Sequence, residues 1–180
     1  SLTEFLSKGE PPVYFGFGSI FGRDPKRVTR IILEAVRRTG VRAILARGWG
    51  GLEPGDSAQS ESVMFIEAAP HSWLFPQVSA VVHHGGCGTT AAGMLAGKPS
   101  IICPFFGDQP FWGRKVERLG VGPSPIPQSK MTVDRLCHAI DTVMNDPTMK
   151  KNVEVLGRRI RDEDGTSNTV AFITKWMNDR

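Results

Sequence analysis

A glycine-rich stretch that contains histidines and threonines is the part of this sequence best suited to chemistry. Residues 82–90 read Val-His-His-Gly-Gly-Cys-Gly-Thr-Thr, and a run of small residues, 91–96, follows them. Glycine lets a backbone approach a ligand closely, and the free N–H groups and dipole at the start of a helix attract an anion. Thr89 and Thr90 add hydroxyl donors, and the imidazole of His84 adds an N–H donor. A diphosphate would satisfy all of these groups.

The same stretch has a plainer interpretation, in which the glycines shape a turn and the histidines cap a strand or a helix. The density of features favours an anion site instead. No Gly-Lys-Ser/Thr follows, as a Walker loop requires, and the G-x-G-x-x-G pattern of dinucleotide-binding proteins is missing from this run. ATPase and dehydrogenase interpretations therefore lose their main support.

Short apolar runs alternate with longer amphipathic ones along the chain. This alternation predicts an α/β fold, a Rossmann-like doubly wound parallel sheet. The predicted strands are 13–17, 42–46, 63–66, 80–82 and 100–103, and the predicted helices are 26–39, 89–96 and 111–119. Three further helices, 133–144, 149–161 and 166–177, complete the chain from about residue 132.

The polar and glycine-rich motifs all follow predicted strands. Residues 16–19 follow the first strand, 83–90 the fourth and 104–109 the fifth. In a parallel sheet, ligands lie beyond the carboxyl ends of the strands, where loops lead into helices. We therefore expect these three loops to meet at one site.

Composition limits the class of protein. With 180 residues, 40% of them hydrophobic and 22% charged, the chain fits one globular domain. The three cysteines form no C-x-x-C pair, which favours reduced thiols and a cytoplasmic protein over a disulfide framework or a zinc site. The net charge of +4 is dispersed, so the sequence predicts no nucleic-acid partner.

The start of the chain has neither an initiator Met nor a signal-peptide pattern, and it reads as an excised boundary. No apolar stretch approaches the length of a membrane-spanning helix. Peripheral membrane association of a full-length protein stays open.

Four ordered segments resemble the donor signature of the UDP-glycosyltransferases and, within that family, of the sterol 3-beta-glucosyltransferases. They are 69–76 (Ala-Pro-His-Ser-Trp-Leu-Phe-Pro), 83–90, 97–99 (Gly-Lys-Pro) and 104–112 (Pro-Phe-Phe-Gly-Asp-Gln-Pro-Phe-Trp). The likeness covers roughly residues 13–125, and the ordered set is more specific than any one motif. It implies the C-terminal, donor-binding half of a GT-B fold, with residues 1–180 as one domain and the N-terminal acceptor-binding domain absent.

The resemblance also implies the UDP-sugar-binding residues. Asp108 and Gln109 would bind the sugar, since a carboxylate beside a carboxamide can accept from and donate to vicinal hydroxyls, although Asp108 could instead just cap the next helix. The remaining predicted contacts are those of His84, Gly86, Gly88, Thr89 and Ser19 with the diphosphate, and of backbone groups near Ala69 and His71 with the base.

Two positions depart from the family pattern. Ala68 stands where many plant members have a Trp that stacks on uracil, so Trp49 or Trp73 is an alternative base contact. Both tryptophans could equally be core or interface residues. Ala92 stands where many members have a Glu for the ribose, which leaves that contact unassigned.

We predict no metal site and no cofactor, with UDP-glucose as the donor substrate. Residues 162–164, Asp-Glu-Asp, match the D-x-D metal motif of another glycosyltransferase fold, but they end a charged helix and are expected to be solvated. The lone histidines His71 and His138 are expected to be structural.

The resemblance implies an inverting displacement in which a sterol or similar lipophilic alcohol attacks the anomeric carbon and UDP departs. The general base is expected in the missing N-terminal domain, so we predict no catalytic residue in this chain. Backbone dipoles and His84 would stabilise the leaving UDP. The alternatives are a one-domain subunit of a two-subunit glycosyltransferase and a nucleotide-sugar binding module without transfer activity.

Overall fold

A five-stranded parallel sheet forms the centre of the molecule. The structure is a computed structural model that describes residues 1–18, 24–48, 52 and 60–179. The strand order is β3-β2-β1-β4-β5, and every pairing is parallel. The predicted doubly wound α/β sheet is thereby confirmed. Its strands are β1 (Val13–Gly16), β2 (Ala43–Ala46), β3 (Val63–Ile66), β4 (Ala80–His83) and β5 (Ser100–Ile102).

The six predicted helices start and stop within two residues of their expected bounds, and short helices at residues 2–7 and 71–74 are additional. Asp24 caps α2 through a side-chain oxygen that accepts from the N–H of Arg27, and Gly40 ends this helix in the left-handed region. The helices are α1 (Leu2–Ser7), α2 (Pro25–Thr39), α3 (His71–Leu74), α4 (Cys87–Leu95), α5 (Gln109–Arg118), α6 (Val133–Asn145), α7 (Pro147–Asp162) and α8 (Gly165–Asn178), with 3₁₀ turns at Phe75–Gln77 and Gln128–Lys130.

Both faces of the sheet are covered by helices. Val13 and Phe15 of β1 pack with residues of α2 and α6, whereas Tyr14, which lies between them, packs with α3 and the turn after it. Ile102 of β5 packs with residues of α4, α5 and α7. Because successive side chains of a strand point to opposite faces, both faces must be apolar, as the continuous runs in the sequence predict.

An extended segment covers the outer edge of β5. The N–H of Ser100 donates to the carbonyl of Val121 at 3.1 Å, and the N–H groups of Ile126 and Gln128 donate to the carbonyls of Ile102 and Pro104 at 2.9 and 3.0 Å. The segment therefore continues the sheet by a few backbone hydrogen bonds. Pro123, Pro125 and Pro127 rule out an α-helix in this segment.

Helix α8 differs from the other helices, because all of its described residues are exposed. Five of its large apolar side chains are exposed, with Phe172 at 72%. No helix in the described part of the chain is long and apolar enough to cross a membrane.

The strand order reverses between β1 and β4. These two strands are neighbours, and Gly16 at the end of β1 pairs with His83 at the end of β4. The chain winds outward on either side of this point, which opens a crevice between the loops that leave the two strands. Two of the loops predicted to bind a ligand, those after β1 and β4, leave the sheet at this crevice, and the third follows the neighbouring strand β5.

Candidate functional site

The imidazole of His84 lies between the loop after β1 and the start of α4. A Cβ built on Gly18 would be 3.2 Å from Cε1 of His84, and one built on Gly86 would overlap Nε2. Gly18 also has a φ of 65°, which favours glycine. The two glycines therefore leave just enough room for the ring. This contact brings the loop after β1 and the loop after β4 together.

His84 is half-buried, and its Nδ1 has no hydrogen-bond partner among the described residues. Burial lowers the pKa of His84, and the negative charge of Asp108 opposes this shift. The ring is therefore mostly neutral at pH 7 and has one N–H to donate. Gly85, the next residue, packs against the backbone of Gln109, so the end of the loop after β5 lies close to the histidine.

The first turn of α4 is open to a ligand. Gly86 is its N-cap residue and supplies no capping side chain. Within the described residues, nothing bonds to the backbone N–H groups of Cys87, Gly88 and Thr89. A Cβ on Gly88 would meet no atom within 4 Å, so space is free at this turn. These N–H groups and the helix dipole form a site for an anion.

Of the two threonine hydroxyls expected to face a ligand, one does not. Thr90 is fully buried, and its hydroxyl donates to the carbonyl of Gly86 at 2.9 Å. The expectation for Thr90 is wrong, because a threonine in the first helical turn can bond back to the carbonyl four residues earlier. Thr89 is partly exposed and stays a predicted ligand contact.

His83 supports the loop from inside the protein. It is fully buried, and its Nδ1 accepts from the N–H of Gly85 at 3.1 Å. Burial, and to a lesser degree the neighbouring His84 and His71, lower the pKa of His83 to about 3. The ring is therefore neutral at pH 7, which keeps Nδ1 free to accept and puts the proton on Nε2. This supporting role of His83 was not predicted from the sequence.

Gly85 packs the loop after β4 against the start of α5. Its φ is 90°, and a Cβ there would be 2.7 Å from Cγ2 of Ile102 and 3.1 Å from the carbonyl oxygen of Gln109. Only glycine fits both this conformation and this spacing. The loop after β4 is thus packed directly against the backbone of the residue pair predicted to bind the sugar.

Asp108 is exposed and precedes α5, and its side chain makes no capping bond to that helix. One carboxylate oxygen, Oδ2, instead accepts from the indole N–H of Trp112 at 2.9 Å. The structure therefore does not show the alternative in which the Asp108 side chain merely caps the helix. No described residue bonds to the other oxygen, Oδ1, which can therefore accept from a ligand.

Gln109 lies deeper than expected for a sugar ligand, with 5% of its surface exposed. Its Oε1 accepts from the backbone N–H groups of Phe105 and Phe106 at 2.8 and 3.2 Å. The carboxamide therefore holds the loop after β5 in shape. Contact with a sugar stays a prediction for this residue, and only its Nε2 is left to make one.

Comparison with known proteins identifies the family. The profile described as erythromycin biosynthesis protein CIII-like, C-terminal domain, matches residues 52–171, which includes all of α4 and α5 and the loops before them. This chain belongs to that family. The open start of α4 and the Asp108 loop are thus features of an EryCIII-like C-terminal domain.

Two curated relatives match nearly the whole domain. It is 47% identical over 180 residues to sterol 3-beta-glucosyltransferase UGT80A2 of Arabidopsis thaliana, a match that covers 98% of the chain and 27% of the relative. It is 36% identical over 205 residues to UDP-sugar-dependent glycosyltransferase 52 of Dictyostelium discoideum, a match that covers 98% of the chain and 12% of the relative. The chain therefore spans a small part of the length of these relatives.

Among solved structures, the glycotransferase of kitacinnamycin superposes on this EryCIII-like domain with a TM-score of 0.82 and 24% sequence identity. The match covers 94% of the chain and 44% of that protein. The likeness shows the fold, which is that of the C-terminal half of a GT-B glycosyltransferase.

The region predicted to hold the base lies partly outside the described residues. Trp49, an alternative base contact, is not among the described residues, and neither is Ser19, which is a predicted contact of the diphosphate. Ala69 packs against a core cluster of the domain, and the ring of His71 stacks on Phe75 with centroids 4.3 Å apart. The His71 side chain thus takes part in packing, and base contacts from the backbone near Ala69 and His71 remain predictions.

Residues 162–164 lie at the junction of α7 and α8, where Asp164 adopts a φ of 42°. In the described part of the domain, no three His, Cys, Asp or Glu side chains are grouped so that they could hold a metal ion.

Two cavities of this domain lie away from the crevice. One of about 420 Å³ is lined by residues that include Pro125 and His138, and one of about 530 Å³ by residues that include Phe5 and Arg42.

Proposed function

We propose that this domain binds the nucleoside diphosphate of a UDP-sugar and is the donor-binding half of a UDP-glucose-dependent glycosyltransferase. One observation carries the proposal: the neutral imidazole of His84 lies between Gly18 and Gly86, next to the unbonded N–H groups that begin α4. An imidazole donor beside helix N–H groups provides what a diphosphate needs.

The names of the relatives support the substrates. One is a sterol 3-beta-glucosyltransferase and the other is called UDP-sugar-dependent. We propose that the donor is UDP-glucose and that the acceptor is a sterol or a similar lipophilic alcohol. These relatives carry the matching segment within much longer chains, which favours a donor-binding half over a one-domain subunit.

The proposed reaction is an inverting displacement. The acceptor oxygen forms a bond to the anomeric carbon as the bond from that carbon to the diphosphate oxygen breaks, and the acceptor proton passes to a base on the N-terminal half. This domain would stabilise the negative charge that grows on UDP through the N–H groups of α4 and the N–H of His84. Asp108 and Gln109 would hold the sugar so that its anomeric carbon faces the acceptor.

A cytoplasmic location with peripheral membrane association of the full-length protein is also a proposal. The membrane association rests on the proposed acceptor, because sterols reside in membranes. The exposed apolar residues of the domain are not needed for it.

Calorimetric titration of the 180-residue chain with UDP, UDP-glucose and ADP tests the donor site. We expect the two uridine ligands to bind more tightly than ADP, with no dependence on added magnesium. Failure of both uridine ligands to bind, or tighter binding of ADP, would contradict the proposal. Transfer of glucose to a sterol after the N-terminal half is restored would distinguish a glucosyltransferase from a pure binding module.

Cys87 offers an independent reporter, since it is exposed and begins α4. In a Cys137→Ser variant, which leaves buried Cys103 as the other thiol, UDP should slow alkylation of Cys87 by iodoacetamide several-fold. ADP at the same concentration serves as the control. Equal protection by both nucleotides would argue against selective binding of uridine ligands at this helix.

A further inference from the structure

Asp108 and Gln109 each have one polar atom that the protein already uses. Oδ2 of Asp108 accepts from the indole of Trp112, and Oε1 of Gln109 accepts from two backbone N–H groups. Because two N–H donors face the carboxamide, its oxygen and not its nitrogen must point at them, which fixes the orientation of the amide. The pair therefore has one acceptor, Oδ1 of Asp108, and one donor, Nε2 of Gln109, left for a ligand.

The two side chains differ in how they are held. Gln109 is buried, so packing fixes it whether or not a ligand is bound. Asp108 is exposed, and the bond from Trp112, four residues later on α5, is the side-chain contact that the structure gives its carboxylate. An exposed aspartate without such a donor would occupy several rotamers, and the site would have to order it on binding.

We propose that Trp112 is a positioning residue for sugar recognition: its indole N–H fixes the carboxylate of Asp108 so that Oδ1 stands ready beside Nε2 of Gln109. An acceptor beside a donor, both held in place, matches a sugar with vicinal hydroxyls, of which one donates and the next accepts. The inference rests on the proposed function, because it concerns the sugar of the same donor.

A purely structural role for Trp112 makes a different prediction. The ring is partly buried and contacts Phe111 edge to face, with centroids 5.3 Å apart. If packing were its contribution, loss of the indole would lower stability and would weaken UDP and UDP-glucose binding alike. The positioning role instead affects the ratio of the two dissociation constants, Kd for UDP divided by Kd for UDP-glucose.

Two substitutions separate the ring from the hydrogen bond. Trp112→Phe keeps an aromatic ring and removes the donor. Trp112→Gln removes the ring and restores a donor, since a glutamine four residues after an aspartate can bond to it on a helix. The experiment titrates wild type and both variants with UDP and with UDP-glucose and records the melting temperature of each.

We expect wild type to bind UDP-glucose more tightly than UDP. The ratio of Kd for UDP to Kd for UDP-glucose should fall roughly 3- to 10-fold in Trp112→Phe, the range expected for one hydrogen bond to a charged group that is partly exposed. In Trp112→Gln the ratio should stay within about twofold of wild type. UDP affinity should stay within about twofold in both. In an Asp108→Ala background, Trp112→Phe should cause no further fall.

An unchanged ratio in Trp112→Phe, or an equal loss in Trp112→Gln, would overturn the inference. So would a wild type that binds UDP and UDP-glucose equally, and in that case the proposed diphosphate site would still stand. A wild type that binds neither ligand would overturn both.

Discussion

His84 and Gly86 are packed so that no side chain fits between them: a Cβ built on Gly86 would overlap Nε2 of the imidazole. The backbone of Gly86 has φ −62° and ψ 139°, a conformation open to any residue. Glycine is therefore needed here for the position of the histidine and not for the turn.

The substitution Gly86→Ala should displace the His84 ring and leave the fold intact. We expect UDP affinity to fall by roughly tenfold, as for loss of one charge-assisted hydrogen bond. Calorimetry measures the affinity and thermal melting the stability. Gly165→Ala, where an added Cβ meets no atom within 4 Å and no ligand is expected, is the matched control. Equal affinities in both variants would contradict the contact.

Gly88→Ala should separate stability from binding. An added Cβ meets no protein atom, and alanine favours a helix, so stability should rise by a fraction of the roughly 1 kcal/mol that separates the two residues in a helix interior. If a phosphate fills that space, the methyl group should weaken UDP binding several-fold. Urea unfolding and UDP titration of the same sample provide the test, and unchanged UDP affinity would place the phosphate elsewhere.

His84→Ala and Asp108→Ala should have different effects on the two ligands. The first should weaken UDP and UDP-glucose binding by similar factors, roughly tenfold for a lost donor to a phosphate. The second should reduce only the added affinity that the sugar provides. Titration of each variant with both ligands measures these effects. If both variants weakened UDP binding by the same factor, that result would contradict the separation of phosphate and sugar contacts.

Acid should destabilise the protein through His83. Its pKa is lowered to about 3 in the folded state, below the ordinary value of 6.5, so the unfolded state binds the proton more readily. Its contribution to stability is therefore fully present above about pH 6.5 and is lost as the pH falls toward 3. His84 and His71, whose pKa values are also lowered by burial, act in the same direction.

His83→Asn isolates that effect, because the asparagine oxygen lies near the place of Nδ1 and can accept from Gly85 without a proton to gain. We expect the urea midpoint of wild type to fall more steeply between pH 7 and pH 5 than that of His83→Asn. His83→Leu, which lacks the acceptor, should be less stable than His83→Asn at both values. The prediction would be wrong if the urea midpoints of wild type and His83→Asn changed in parallel with pH.

Two phenylalanines should show how unevenly stability is distributed. Phe75 is fully buried against the sheet, so Phe75→Ala should cost about 3–5 kcal/mol. Phe172 on α8 is 72% exposed, so Phe172→Ala should change the free energy of unfolding by about 0.5 kcal/mol or less. Chemical denaturation of the two variants gives both numbers, and a large cost at Phe172 would show that α8 packs in solution on something that this structure does not contain.

The fold could be predicted because the spacing of apolar residues along the chain and the composition of each segment reflect burial directly. The continuous apolar runs of β4 and β5 are what a strand covered on both faces requires, and Asp146 before Pro147 marks a helix boundary by known capping rules. The place of the site followed from topology, since loops after parallel strands share one edge.

The roles of individual polar atoms were harder to predict, because they depend on which way a side chain turns. The expected Thr90 donor is used within the helix, and Gln109 is anchored to the loop before it. The spacing of Asp108 and Trp112 by one helical turn was a readable signal for their hydrogen bond. The bond from Gly85 to the buried His83 had no such signal, since the residue type does not reveal which ring nitrogen is protonated.

The segment beside β5 has a further consequence for solubility. Ile126 and Gln128 direct their N–H groups inward to the sheet, so the alternate positions of this extended stretch, Pro125 and Pro127, face outward. Proline has no N–H, and the outermost edge of the sheet therefore offers no donor at these two positions to a strand from another molecule. These two prolines thus protect the native protein against edge-to-edge aggregation.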